Sequence, residues 1–325
     1  MKVCIFGAGS IGGIVAALLA RKGDVEVSVI ARGAHLQAIR ERGLRLITPS
    51  DDFTVRLRAT DDPRELGPQD HVFVTLKTHQ YLATLDAIVP LLGPDTTLIP
   101  PTTGMPYWFF HGLKGPYEGR RLPRMDPGGR QWSLFGPERA IGCAFWAGGV
   151  VPEPGVVKLE NDVAYLPLGE PDGSRSARVL ALSRAMTEAG MKAPVKDDIR
   201  SELWTKSINS LTWNPLAVLS LADNGQIGEA PGVVDIARAM MTEAEAIATK
   251  LGGTLASPME ARIAFTVGLG HHRMSMLTDL QRGQPLEIDA LADSIADLGE
   301  IAGLKTPMID AMLALLKLRA RMAAA

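Results

Sequence analysis

Apolar residues in the first hundred positions fall into short unbroken runs separated by amphipathic stretches. Residues 2–6 form such a run and glycines follow at once, the pattern of a buried parallel strand entering a tight turn. Residues 11–21 carry apolar positions at helical spacing and stop near Gly23. Residues 25–30 read as a second buried strand, 71–76 as another and 97–101 as a further one. Residues 44–47 and 53–57 flank the polar turn Pro49-Ser50-Asp51-Asp52, which predicts a hairpin. Strands alternating with helices predict an α/β unit, a mostly parallel sheet covered by helices.

From 112 to 139 the chain turns to Gly, Pro, Arg and Tyr, which reads as a long surface excursion. Residues 156–160 and 163–168 suggest a second hairpin across Asn161-Asp162, and 175–188 one more helix ending at Gly190. After Lys196 the strand pattern stops. Val233, Ile236, Met240, Ala244, Ile247 and Leu251 recur every three or four residues, a single helical stripe closed by Gly252 and Gly253. Ser257-Pro258-Met259-Glu260 has the order of a capping box, and Thr306-Pro307 opens a last helix in the same manner. The expected organisation is an α/β Rossmann domain over 1–197 followed by an all-helical domain over 198–325.

Composition narrows the function more than the fold. The 325 residues are 46% hydrophobic and 22% charged, with a formal charge of -2, so nothing draws the chain to nucleic acid or an acidic membrane. No apolar run approaches the roughly 20 residues of a membrane helix, and the first strand leaves no room for a leader. Cys4 and Cys143 are the only cysteines, which fits a reducing, cytoplasmic setting. Cys4, inside a strand, reads as a small core residue. No spacing of His, Cys and acidic residues suits a metal.

The chemistry starts at Gly7-Ala8-Gly9-Ser10-Ile11-Gly12, a G-x-G-x-x-G run between a predicted strand and a predicted helix. That context makes it a pyrophosphate turn, with the helix N-terminus offering N–H groups to the phosphates. An NAD site usually places a carboxylate at the end of the second strand, to hold the ribose 2′-hydroxyl. Here the sequence is Ala31-Arg32-Gly33, and Arg32 suits a 2′-phosphate. NADPH/NADP is the expected cofactor. Lys77, read as closing the strand over 71–76, is a further expected cofactor contact.

The helical half opens with Glu202-Leu203-Trp204-Thr205-Lys206. On a helical wheel Ser210 lies ~40° and Asn214 ~80° round from Lys206, so one face carries an ammonium, a hydroxyl and an amide. Asn209 lies ~140° from Asn214 and does not share that face equally. Pro215 predicts a bend. A second polar cluster runs through Ser275-Met276-Leu277-Thr278-Asp279 to Glu287-Ile288-Asp289.

Taken in order, several of these segments resemble the ketopantoate reductase family. The matching stretches are the glycine turn, Thr75-Leu76-Lys77, Pro154-Gly155-Val156, Glu202-Leu203-Trp204-x-Lys206, Asn214-Pro215-Leu216, Asn224-Gly225, Ser275-Met276-Leu277-x-Asp279 and Glu287-Ile288-Asp289. Gly104-Met105-Pro106-Tyr107-Trp108 resembles a longer-loop branch of that family. The resemblance implies that Gly7 to Gly12, Arg32, Lys77 and Thr103 face the cofactor. It implies that Lys206 donates a proton to a carbonyl oxygen as hydride reaches carbon, with the Glu287 carboxylate near the reacting centre. Ser210, Asn214, Asn224 and Ser275 fall on its substrate-binding positions. Two positions depart from the pattern: a family asparagine is Thr103 here, and another is Ser210, with Asn209 one place early.

The expected activity is NADPH-dependent reduction of a small-molecule 2-keto acid, ketopantoate or a related branched acid. Thr103 and Ser210 leave open a hydroxy-acid or alcohol dehydrogenase, and a non-catalytic NADP-binding regulator is the reading from another class. A homodimer stays open as the assembly.

Overall fold

The computed structural model describes residues 1–160 and 162–324. Two compact units emerge: one comprises Met1–Thr102, Pro106–Arg121 and Gly128–Ile199, the other Thr103–Met105, Leu122–Pro127 and Arg200–Ala325. The chain therefore contributes two short pieces of its first half, around 104 and 125, to the helical unit.

The first unit contains β1 (Lys2–Phe6), α1 (Ser10–Lys22), β2 (Glu26–Ile30), α2 (Gly33–Arg42), β3 (Leu44–Ile47), β4 (Asp52–Val55), β5 (Arg58–Thr60) and β6 (Gln69–Val74). It continues with α3 (Thr78–Leu82), α4 (Leu85–Ile88), β7 (Leu92–Ile99), α5 (Arg130–Phe135), β8 (Gly142–Cys143), β9 (Gly149–Glu153), β10 (Val156–Leu159), β11 (Leu168–Gly169) and α6 (Ala177–Glu188). Strands β5-β2-β1-β6-β7 form a fully parallel sheet in that order. The central strand β1 is covered on both faces, with Val3, Cys4, Ile5 and Phe6 all buried, which is why its sequence reads as an unbroken apolar run. Cys4 is a core residue as expected, and burial pushes its thiol pKa up to about 12.

A second sheet, ordered β4-β3-β10-β9, packs across α1. The β3–β4 hairpin forms as expected, but the expected pairing of β10 with 163–168 does not. β10 pairs antiparallel with β9 across Pro154-Gly155 and parallel with β3, while Leu168–Gly169 joins β8 instead. Asn161, in the expected turn, lies outside the described residues. Nor is the stretch over 112–139 simply a surface excursion. Leu122, Met125, Asp126, Gln131 and Phe135 are buried, and α5 lies within it.

The helical unit holds α7 (Ile199–Ser220), α8 (Asn224–Gly228), α9 (Pro231–Lys250), α10 (Met259–Gly268), α11 (Ser275–Gln281), α12 (Ile288–Ala302) and α13 (Pro307–Ala324). The α9 stripe packs as expected, with Met240, Ala244, Ile247 and Leu251 buried. α7 continues through Pro215 to Ser220, so the proline does not end it. The capping box at Ser257 does not form: α10 begins at Met259, with Pro258 at the cap and no side-chain cap bond. The first turn of α13 is capped from another helix, the Glu243 carboxylate accepting from the Met308 and Ile309 N–H groups at 2.9 and 3.0 Å.

The two early segments are fastened to α12. The buried Asp297 carboxylate accepts from the Arg124 backbone N–H at 2.9 Å and from its guanidinium at 2.7 Å. Ser294 accepts from the Met105 N–H at 2.9 Å. The Asp297 bonds hold the segment around Arg124, and the Ser294 bond holds Thr103–Met105, against α12.

In β6, buried His71 contacts the Thr97 hydroxyl through Nδ1 at 2.6 Å, and burial pushes its pKa down to about 4. The folded chain thus favours neutral His71, whereas the unfolded chain protonates near 6.5. The stability it contributes is complete above pH 6.5 and falls as pH drops toward 4, by about 3 kcal/mol in all. Urea midpoints measured between pH 7 and 4 should decline less steeply for His71→Gln than for the natural chain. Parallel declines would show that this imidazole does not drive the acid sensitivity.

Candidate active site

Two constraints shape the glycine turn. Gly7 has φ +111°, and a Cβ there would lie 2.7 Å from Leu76 Cδ2. A Cβ at Gly12 would overlap the Gly7 carbonyl oxygen and Thr75 Oγ1. The Gly7 and Ala8 N–H groups both donate to the Ile30 carbonyl at 3.1 Å, and the Thr75 hydroxyl donates to the Gly7 carbonyl at 2.6 Å. The turn is therefore clamped between β2 and the end of β6.

At Gly9 a Cβ would meet nothing within 4 Å, and no side chain caps the first turn of α1. The helix N-terminus thus faces open space with donors suited to an anion. That space is part of a cleft of about 450 Å³ lined by Gly7, Gly9, Arg32, His35, Gln80 and Glu153, among others. Its donor chemistry and size fit part of a dinucleotide. Arg32 is exposed at the N-cap of α2 and lines this cleft as predicted. Lys77 does not close a strand: β6 ends at Val74, and Lys77 is the half-buried N-cap of α3. The sequence reading missed His35 and Glu153, neither of which carries a local motif.

In the helical unit, α7 presents Lys206 and Ser210 half-buried, with Asn214 fully covered. The Asn214 carboxamide is committed to protein partners. Its Nδ2 donates to the Ser210 carbonyl at 3.0 Å, and its Oδ1 accepts from the Met276 N–H at 3.1 Å. The same oxygen accepts from the Ser275 hydroxyl at 3.5 Å. Asn214 therefore caps α11 from outside and fixes Ser275, which is exposed, at that helix start. Asn224 is fully buried with neither amide atom hydrogen-bonded, while its backbone N–H donates to His272 ahead of α11. Thr103 donates its hydroxyl to the Glu287 carboxylate at 3.3 Å. The structure thus joins Ser210, Asn214 and Ser275 in one group and Thr103 with Glu287 in another. Asn209, on the neighbouring face, has a buried Oδ1 without a bond.

The family profile described as ketopantoate reductase PanE/ApbA matches residues 3–105, and its C-terminal counterpart matches residues 198–320. The chain belongs to the ketopantoate reductase family. The 2-dehydropantoate 2-reductase of Mesorhizobium japonicum is 44% identical over 317 residues, spanning 98% of this chain and 97% of that one. The crystal structure of 2-dehydropantoate 2-reductase from Geobacter metallireducens superposes with a TM-score of 0.85 at 26% identity, covering 98% and 99% of the two chains. A ternary D-mandelate dehydrogenase structure with NADH and anilino(oxo)acetate shares the fold, with a TM-score of 0.84 at 21% identity over 99% of each chain. The ketopantoate reductase family assignment makes this chain an oxidoreductase with the fold described above.

If Asn214 holds α11, Asn214→Ala should lower unfolding free energy by about 1–2 kcal/mol, the usual cost of a lost cap. Chemical denaturation reads it. An unchanged midpoint would show that the Met276 N–H finds another partner at no cost.

Proposed function

We propose that this protein reduces a 2-keto acid with NADPH, ketopantoate or a related branched keto acid being the substrate. The observation that carries the cofactor choice is Arg32 lining the same cleft as Gly7 and Gly9, with Ala31 and Gly33 on either side of it and no carboxylate at the end of β2. A guanidinium there favours a 2′-phosphate, and Lys77 at the start of α3 adds a second cation. The Ser10, Ile11 and Gly12 N–H groups would hold the pyrophosphate, with Ala8 in the turn before them. When bound, the nicotinamide supplies the hydride.

The rest is the work of this chain's own side chains. Lys206 holds the proton that the developing alkoxide requires, and its positive charge stabilises that oxygen. Glu287, oriented by Thr103, stands as the companion carboxylate. Ser275, fixed by Asn214, supports substrate binding with the half-buried Ser210, whereas Asn224, fully buried, has no surface to offer a substrate. Domain boundaries near 197 suit this division of labour, the first part binding cofactor and the second substrate. The buried thiols Cys4 and Cys143, neither in a disulfide, fit a cytoplasmic enzyme.

A second reading keeps the cofactor and changes the substrate. Thr103 spends its hydroxyl on Glu287, and Ser210 is shorter than the family's asparagine, so both leave substrate contacts smaller. A 2-keto acid bulkier than ketopantoate, or the hydroxy acid that corresponds to it, suits that change.

NADPH consumption with ketopantoate and a panel of 2-keto acids, together with NADPH formation from NADP and the matching hydroxy acids, separates these readings. Lys206→Ala should lower kcat by about 10²–10⁴-fold, the usual worth of a general acid. Unchanged turnover would remove Lys206 from the reaction. Arg32→Ala should raise the KM for NADPH about tenfold or more, the usual worth of a charged hydrogen bond, while leaving that for NADH near its starting value. Equal effects on both cofactors would refute the 2′-phosphate contact.

A further inference from the structure

His35 lies in the first turn of α2, half-buried, in the cleft that contains Gly7, Gly9 and Arg32. Both of its ring nitrogens have partners from distant parts of the chain. Nε2 stands 2.7 Å from the Ala8 carbonyl oxygen, and Nδ1 stands 3.0 Å from the Gly155 backbone nitrogen. A carbonyl can only accept and a peptide N–H can only donate. The pairing therefore fixes one tautomer, with the proton on Nε2 and the lone pair on Nδ1. A protonated ring would set a second N–H against that of Gly155.

The imidazole thus ties together the glycine turn, the start of α2 and the turn of the β9–β10 hairpin. That hairpin turn is itself seated on α2: Gly155 has φ +84°, and a Cβ there would come 2.9 Å from Ala38 Cβ. Val151 to Pro154, just before it, line the same cleft.

We propose that His35 is a positioning residue of the cofactor site, setting the spacing between the phosphate turn and the hairpin wall and serving only as the neutral Nε2–H tautomer. This rests on the reading that the cleft takes NADP(H). Of the charged groups that line the cleft with it, Arg32 on α2 opposes protonation and Glu153 on the hairpin favours it, while α3 contributes neutral Gln80. Burial holds the His35 pKa below 6.5, against the pull of the Ala8 carbonyl.

NADPH binding to the purified protein, followed by fluorescence at pH 8 and at pH 5.5, tests the tie with two variants. His35→Asn keeps an acceptor near the Nδ1 position, and His35→Gln keeps a donor near Nε2. Each should weaken NADPH about tenfold at pH 8, since each loses one of the two bonds. The natural chain should weaken further on acidification than either variant, all three sharing the titration of the cofactor's own phosphate near pH 6. Long-range ¹⁵N spectra of the natural chain should show His35 as the neutral Nε2–H form at pH 7.

NADPH binding equal to that of the natural chain in both variants would overturn the proposal, as would an Nδ1–H or charged ring at neutral pH. The spectra need no variant, so the proposal stays exposed even if both variants fold poorly. Failure of the natural chain to bind NADPH would instead sink the cofactor reading on which it rests.

Discussion

A methyl group at position 12 would overlap the carbonyl oxygen of Gly7, and this exclusion sets how β1 passes into α1. Because the helix starts so close to the strand, its N-terminal N–H groups stand beside the turn instead of beyond it. The Ile30 carbonyl at the end of β2 and the Thr75 hydroxyl just after β6 then hold the turn in place. An anion site made of backbone donors needs this rigidity. N–H groups pre-aimed at a phosphate lose little entropy when it arrives, whereas a flexible loop would surrender much of the gain to ordering. The position of α1 has a second consequence. It is packed by the parallel sheet on one side and by β3, β9 and β10 on the other, so the helix whose N-terminal donors face the cleft is also central to the core.

The helical unit uses side chains where the first unit uses backbone. Asp297 takes the N–H of Arg124, Ser294 takes that of Met105, Glu243 closes α13 and Asn214 closes α11. In each case a buried or half-buried polar group on one element satisfies orphan donors on another. Such bonds are costly to break, because removing the acceptor strands donors away from water. They also locate the candidate chemistry. Thr103 reaches Glu287 because the segment containing it is fastened to the helix that Glu287 precedes.

What could be read from the sequence follows from how local each signal is. β1, α1 and the glycine turn were legible because a strand, a turn and a helix start are written in fifteen consecutive residues. The β3–β4 hairpin was legible for the same reason. β10 is legible as a strand, but neither of its partners is: period-two alternation specifies a face and names no neighbour, whether β3 about a hundred residues away or β9 across the Pro154-Gly155 turn. The stretch over 112–139 looked like surface because its glycines, prolines and arginines outnumber its apolar residues. Leu122, Met125 and Phe135 are nonetheless enough to bury it at intervals. At Ser257 the capping pattern was present, but the chain places Pro258 at the cap, and a motif of four residues does not fix which residue starts the helix.

The candidate site divides along the same line. Arg32 could be placed from its offset after the glycines, and it does line the cleft. Asn214 could be placed on the Lys206 face of α7, but a carboxamide that faces a ligand and one that caps a neighbouring helix look identical on a helical wheel. Only the position of the Met276 N–H distinguishes them. His35 had no signal at all, because its significance lies in partners at positions 8 and 155. Both residues point to the same principle: where a side chain's partners are backbone groups, no pattern of residue types records them, because every residue type supplies a carbonyl and all but proline an N–H. Sequence motifs therefore recover the groups proposed to touch phosphate and miss those that hold such groups in place. The supporting residues of this site are for that reason the ones that coordinates add to the sequence.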